Sequence, residues 1–176
     1  VMPFDKGVEL LKKYVVVKKE ILDEIDRFYN ENMSSNKFIG VHIRGTDSPL
    51  NYSPNAILNQ LQDVQKRMPD HKFFVATDQN DYMQIAKAGL GRENVISISA
   101  FRSKNRKPVH QQNIQGHNTK KGREALMDCL LLTKCDYAVL SGSNLSKCVR
   151  YFNPLMPYEE FDRNPPPKQR YTAAKQ

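Results

Sequence analysis

The sequence predicts an α/β domain in which a parallel sheet is covered by helices on both faces. Two observations predict it. Short apolar runs of strand type alternate with stretches of helical periodicity along most of the chain, giving about five βα units. Two strands joined through a helix run the same way, so this alternation implies parallel pairing, and the strands are apolar throughout because both faces are covered. The chain has 176 residues, enough for one such core, since a domain of this size buries roughly 70% of its unfolded surface.

Taken in order, Ile21, Leu22, Ile25, Phe28 and Tyr29 repeat at helical spacing among Lys, Glu and Asp, so an amphipathic helix is predicted over 18–33. Residues 37–43 read as a strand. A turn-rich stretch follows, and a helix begins where Ser53 stands at the N-cap and Pro54 at the first position, with Ile57, Leu58, Leu61, Val64 and Met68 on its buried face. The unit then repeats with a strand over 72–76, a glycine-ended helix over 80–90 and a strand over 94–99. A helix over 122–134, a strand over 137–140 and a helix over 143–151 close the domain. The domain is placed at residues 1–154. Beyond it Pro157 and the run Pro165 to Pro167 cannot extend a helix, so 155–176 is expected to run over the surface or to be disordered.

The composition excludes some classes. Hydrophobic residues make up 39% and charged residues 26%, an ordinary balance for a globular protein, and no apolar run approaches the roughly 20 residues that span a bilayer. The formal net charge of +8 favours acidic partners, among them nucleic acid, an anionic surface or a phosphorylated ligand. No Asp or Glu falls between Glu93 and Glu124, whereas Arg102, Lys104, Arg106, Lys107, Lys120, Lys121 and Arg123 do. That stretch is either a solvated basic loop or a binder of phosphate or an acidic acceptor. Nucleic acid is not the expected partner, because Phe101 is the lone aromatic there and no helix gathers Lys and Arg on one face. Cys129, Cys135 and Cys148 lack CxxC spacing and lie in apolar stretches, so buried free thiols are expected rather than a disulfide or a metal site.

Open parallel sheets bind ligands at the carboxyl ends of their strands, where loops and helix N-termini converge. The first strand runs out into His42, Arg44, Gly45, Thr46 and Asp47. A guanidinium there can grip a diphosphate through paired, charge-assisted hydrogen bonds. The second strand ends at Asp78, whose expected role is to cap the next helix. The last ends at Ser141, Gly142, Ser143 and Asn144, a turn opening a helix that suits either capping or a phosphate cradle. Neither GxGxxG nor GxxxxGK[ST] is present, which argues against a dinucleotide or P-loop site.

Phe38-Ile-Gly-Val-His-Ile-Arg-Gly-Thr-Asp47, Phe74-Val-Ala-Thr-Asp78 and the segment from Gly122 to Ser146 together resemble the donor-binding domain of the fucosyltransferase superfamily, which includes the α1,6-fucosyltransferases, nodulation fucosyltransferases and protein O-fucosyltransferases. The likeness runs from about Tyr14 to Pro154. It implies a Rossmann-like domain, the donor half of a GT-B glycosyltransferase, with GDP-fucose or a related GDP-sugar as donor, inversion at the anomeric carbon and no metal or other cofactor. On the matching positions it implies Arg44 at the β-phosphate as the catalytic residue, His42 as a guanosine-side or phosphate contact, and Asp128 as a guanine-edge acceptor. Gly45, Thr46, Ser143 and Asn144 would hold the diphosphate. His110 and His117 match nothing in the pattern.

Gly45 stands where some members carry a second arginine, so the resemblance does not extend to α1,6 linkage. The expected acceptor is a glycan or protein hydroxyl, bound by an N-terminal acceptor domain or a partner chain. Asp47 either serves as the general base or orients Arg44. The alternative in another class is a non-catalytic nucleotide-sugar-binding or interaction module derived from a glycosyltransferase.

Overall fold

A computed structural model describes residues 3–45, 53–103 and 118–161. Helices α1 (Phe4–Tyr14) and α2 (Lys19–Asn32) precede strand β1 (Lys37–Ile43). Then come α3 (Pro54–Arg67), β2 (His71–Thr77), α4 (Asn80–Leu90), β3 (Val95–Ile96), α5 (Asn118–Leu132), β4 (Tyr137–Leu140), α6 (Asn144–Phe152) and β5 (Tyr158–Glu160). The five strands form one sheet in the order β3-β2-β1-β4-β5, and each pairing is parallel. This is the α/β fold that the sequence predicts.

Because side chains alternate across a strand, each strand feeds two cores. Phe38, Phe74, Ala76, Ala138 and Leu140 pack on one side with Ile21 and Ile25 of α2, Cys129 to Leu132 of α5 and Val149 of α6. Ile39, Val41, Ile43, Phe73, Val75 and Val139 pack on the other with Ile57, Leu61 and Val64 of α3 and Tyr82, Met83, Ala86 and Leu90 of α4. Each fully buried aliphatic side chain contributes about 1.5–3 kcal/mol. The three of α3 thus hold that helix on the sheet. Gly40 lies where α5 comes closest to β1, since a Cβ there would stand 2.9 Å from Leu132 Cδ2 and 3.1 Å from Cys135 Sγ.

Four elements differ from the sequence expectation. Helix α1 precedes the first predicted helix and rests on α6 through Phe4, whose ring lies 5.2 Å from that of Tyr151. Strand β3 is two residues long because the chain leaves the sheet and returns beside the tip of β2, where Ser103 N donates to Asp78 O and Asn80 N to Ser103 O. Helix α5 begins at Asn118 rather than near Gly122.

The expectation that residues from 155 onward lie outside the domain is corrected over Tyr158–Glu160, which form edge strand β5 beside β4. Phe161 beyond it is buried in the second core. Glu159 secures this edge by accepting from Arg67 Nη2 at 2.7 Å, Tyr137 Oη at 2.9 Å and Gln60 Nε2 at 3.1 Å. The polyproline run lies outside the described residues. Cys129 and Cys135 are buried free thiols, but Cys148 is exposed because it falls on the outer face of α6. No helix among the described residues is long and apolar enough to cross a membrane.

Candidate functional site

From β1 the chain proceeds outward to β2 and β3, then crosses back to β4 on the other side of β1. The strand order therefore reverses between β1 and β4, and a crevice opens at their carboxyl ends. Arg44 and His42 come to it from β1, and Ser141 and the start of α6 from β4. Ser141 N donates to His42 O at 3.0 Å, and Arg44 N donates to Ser141 Oγ at 3.1 Å.

His42 is 5% exposed and points to the α5 and α6 side of the sheet, the side that Phe38 and Gly40 share with it. Its Nδ1 meets Ser146 Oγ at 2.8 Å, Ser141 Oγ at 3.2 Å and Ser143 Oγ at 3.4 Å. Burial lowers its pKa to about 4, against the attraction of Asp78 and with some help from Arg44. His42 is therefore a neutral imidazole at physiological pH.

Arg44 lies just past the end of β1, and its Nη1 is 3.3 Å from Asp78 Oδ2. The other oxygen of Asp78 accepts from Gly45 N at 2.8 Å. One carboxylate thus fixes both the guanidinium and the backbone that follows it. The expected capping role of Asp78 is corrected: the N-cap of α4 is Gln79, without a side-chain cap bond, because the carboxylate turns back to β1. Gly45 fits where a larger residue does not. A Cβ there would meet Gln79 Oε1 and stand 2.5 Å from Tyr82 Cε2, and both residues are buried. Gly45→Ala is expected to lower stability by about 1–3 kcal/mol and to weaken ligand binding by shifting Arg44. Urea unfolding and ligand titration check this, and a variant equal to wild type in both would refute it.

Asp128 of α5 is 8% exposed, and its Oδ1 has no hydrogen-bond partner among the described residues. Burial raises its pKa to about 7 despite the attraction of Arg102, and Glu124 adds to the rise. Arg102 donates to Ala100 O at 3.3 Å and Ile98 O at 3.0 Å, while its buried Nε finds no partner among the described residues. Burial lowers the pKa of Arg102, with Asp128 and Glu124 opposing.

An open cleft joins these groups. It is lined by His42 and Arg44 at the end of β1, Thr77 and Asp78 at the end of β2, Lys121, Glu124, Ala125 and Asp128 from α5, and Ala100, Phe101 and Leu145. The lining includes a fixed guanidinium, a neutral imidazole, a buried acceptor and an aromatic ring, over which Lys121 Nζ lies 6.0 Å from the centroid. Such a set of groups suits a ligand that carries both an anionic group and a hydrogen-bond-donating ring.

The structure brings His42, Arg44 and Asp128 of the sequence-predicted residues into the lining of one cleft. Gly45 supports Arg44 from outside it. Ser143 caps α6 by accepting from Ser146 N at 3.2 Å, and Asn144 is exposed at the first turn of that helix; neither is among the cleft-lining residues. Thr46, Asp47, His110 and His117 lie outside the described residues.

The basic stretch is partly neutralised: Arg123 pairs with Glu24 at 2.6 Å and Glu20 at 3.7 Å, and Lys120 with Glu124 at 3.9 Å. Sequence reasoning missed Phe101, Glu124 and Ser146 as parts of this site and the pairing of Asp78 with Arg44, whereas Lys121 belongs to the basic stretch weighed there as a binder of phosphate. The available signals were the helical offsets 121, 124, 125 and 128 on α5, which share a face. No group of three or more His, Cys, Asp or Glu that could hold a metal ion occurs among the described residues.

No protein-family model and no curated protein sequence matches the chain. Solved structures do match. NodZ α-1,6-fucosyltransferase co-crystallised with GDP aligns with a TM-score of 0.61 at 23% identity over 88% of this chain and 48% of that one. Fucosyltransferase NodZ from Bradyrhizobium aligns with 0.60 at 22% identity over the same shares. POFUT1 in complex with GDP aligns with 0.58 at 14% identity over 89% of this chain and 50% of that one. The chain spans about half the length of these structures, and over that span it has their fold, the Rossmann-like α/β fold found in GT-B fucosyltransferases.

Proposed function

We propose that the chain is the donor-binding part of an inverting fucosyltransferase, taking GDP-fucose or a related GDP-sugar and transferring the sugar to a glycan or protein hydroxyl without a metal. The observation that carries this reading is the meeting, in the lining of one cleft, of Arg44 braced by Asp78, neutral His42 and Asp128, whose Oδ1 has no partner among the described residues. The fold shared with proteins crystallised with GDP or soaked with GDP-fucose supports it.

In this reading the guanidinium grips the diphosphate. Asp128, as the carboxylate, accepts from a guanine edge, and Phe101 offers a face for the base. As the bond from the anomeric carbon to the β-phosphate oxygen breaks, negative charge grows on the leaving GDP and positive charge on the sugar. A guanidinium already in place stabilises that state more than the ground state. The acceptor hydroxyl and its general base belong to an acceptor-binding half, supplied by a further domain or a partner chain.

Calorimetric titration of the chain with GDP, GDP-fucose, GDP-mannose and UDP tests the donor site. GDP and GDP-fucose are expected to bind, and UDP to bind at least tenfold more weakly, because a uracil offers Asp128 a single ring N–H. Equal binding of UDP would remove the base assignment, and no binding of any nucleotide would overturn the reading.

A further inference from the structure

The serines around His42 allow a deeper assignment, which rests for its functional meaning on the nucleotide-sugar reading. We propose that Ser146 is a positioning residue that, with Ser141 and Ser143, holds His42 as the neutral Nε2–H tautomer, so that the imidazole offers the cleft an uncharged N–H donor beside the charged Arg44.

The accounting of hydrogens carries this. Ser141 Oγ accepts from Arg44 N at 3.1 Å, and Ser143 Oγ accepts from Ser146 N at 3.2 Å. Both hydroxyls therefore keep their own hydrogen to donate. Ser143 donates to Ser146 Oγ at 3.3 Å, which leaves the Ser146 hydrogen for its nearest acceptor, His42 Nδ1 at 2.8 Å. With a hydrogen on Nδ1, Ser146 Oγ would receive two hydrogens and its own would have to turn away from the imidazole. Among the described residues, three hydroxyl groups and no carboxylate lie within hydrogen-bond distance of Nδ1, an arrangement that supplies hydrogens to a nitrogen rather than drawing one from it. The remaining hydrogen of a neutral ring is then on Nε2.

The position of Ser146 supports the same assignment. Ser143 is the N-cap of α6, so Ser146 falls at the third helical position, where a capping box would carry Glu or Gln. A carboxylate there would stand against Nδ1 and favour the imidazolium; a hydroxyl keeps the ring neutral. Among the described residues, the charged groups that line the cleft with His42 are Arg44 just past its own strand, Asp78 after β2, and Lys121, Glu124 and Asp128 of α5; Asp78 and Arg44 act on it in opposite directions. An Nε2–H suits a phosphate oxygen or a sugar hydroxyl, and it cannot take the proton of an acceptor hydroxyl.

The test is a long-range ¹H–¹⁵N correlation spectrum of the chain with ¹⁵N-labelled histidine, the His42 signals being identified by their loss in His42→Gln. Wild type is expected to show the Nε2–H pattern unchanged from pH 5.5 to 8, Ser146→Ala a shift toward a mixture of tautomers, and Ser146→Thr the wild-type pattern. An Nδ1–H pattern in wild type overturns the proposal, and so does a Ser146→Ala pattern equal to wild type in a variant whose backbone spectrum shows it folded. Ser146→Cys, of similar size but a weaker donor, gives the same reading if Ser146→Ala does not fold. Failure of GDP to bind a chain that shows the Nε2–H pattern would overturn the nucleotide reading and leave the tautomer assignment standing.

Discussion

On the proposed reading, Arg44→Ala is expected to lower the turnover of the complete protein by about 10² to 10³-fold, the loss found when one preorganised donor to a developing oxyanion is removed. Affinity for GDP should fall much less, since the neutral imidazole, Asp128 and the Phe101 face stay in place. The variant should fold. The Arg44 side chain is 35% exposed, and Asp78 keeps its bond from Gly45 N, so no deeply buried charge is left unpaired. Arg44→Lys keeps the charge but loses the planar fork that grips a diphosphate, and an intermediate turnover is expected. Steady-state kinetics with varied donor, beside a GDP titration, separate the effects. A loss confined to GDP affinity and KM, with turnover near normal, would assign Arg44 to ground-state binding and overturn its proposed role.

Asp128→Asn has the second large effect, opposite in sign for stability and for ligand. The carboxyl pKa rises from 3.8 to about 7 in the folded chain. Between those values the folded state binds a proton that the unfolded state has released, so stability falls as pH rises through this window. The cost is fully developed above pH 7 and absent below pH 4. Asn has nearly the shape of the protonated acid and carries no such cost, so the variant should gain on the order of 2–4 kcal/mol over wild type at pH 8 and nothing at pH 4.

His42 acts in the other direction: its pKa falls from 6.5 to about 4, so its contribution is lost as pH drops through that range. The two slopes oppose each other between pH 4 and 6.5 and flatten the wild-type profile. Asp128→Asn uncovers the histidine slope, and its stability should climb steadily from pH 4 to 6.5. Meanwhile GDP affinity should fall by tenfold or more, because the amide replaces one of the two charged acceptor oxygens with an NH2 that is itself a donor and faces the N–H groups of the base. Urea unfolding across pH and GDP titration check both halves. A variant that is no more stable at pH 8 would contradict the burial of an unpaired carboxyl.

The sheet was legible because its signal is redundant. The strands of the buried centre are mainly apolar, β1 from Phe38 to Ile43 being interrupted by His42, and helices such as α3 carry Ile57, Leu61 and Val64 at helical spacing. Strand β5 was not legible because Tyr-Glu-Glu has neither apolar alternation nor length; it is held from outside by Arg67, Tyr137 and Gln60 on Glu159. Helix α1 carries Phe4, Val8 and Leu11 at helical spacing, so its amphipathic pattern is legible although the helix buries Gly7 alone. At the site, the His42 and Arg44 strand end and the serine turn could be read locally. The link from Asp78 to Arg44 could not, because it bridges two strand tips 34 residues apart in numbering, and Asp78 had an equally good local use as a cap. The burial of Arg102 could not be told from the other basic residues of its stretch, because nothing near it in sequence shows that the chain folds back along β2 at Ser103.

The reversal of strand order also governs when the cleft exists during synthesis. Ser146 is separated from His42 by 104 positions, and the β1 and β4 sides of the crevice are joined by pairing between equally distant segments. A nascent chain that has released only β1, β2 and β3 from the ribosome lacks the serines, Asp128 and one neighbour of its central strand. Closing so long a loop is slow compared with forming local helices. On the proposed reading a nucleotide ligand cannot act as a template for early folding, because the serines and Asp128 follow β1, β2 and β3 in the chain. Added nucleotide should thus slow unfolding of the finished domain while leaving its folding rate nearly unchanged.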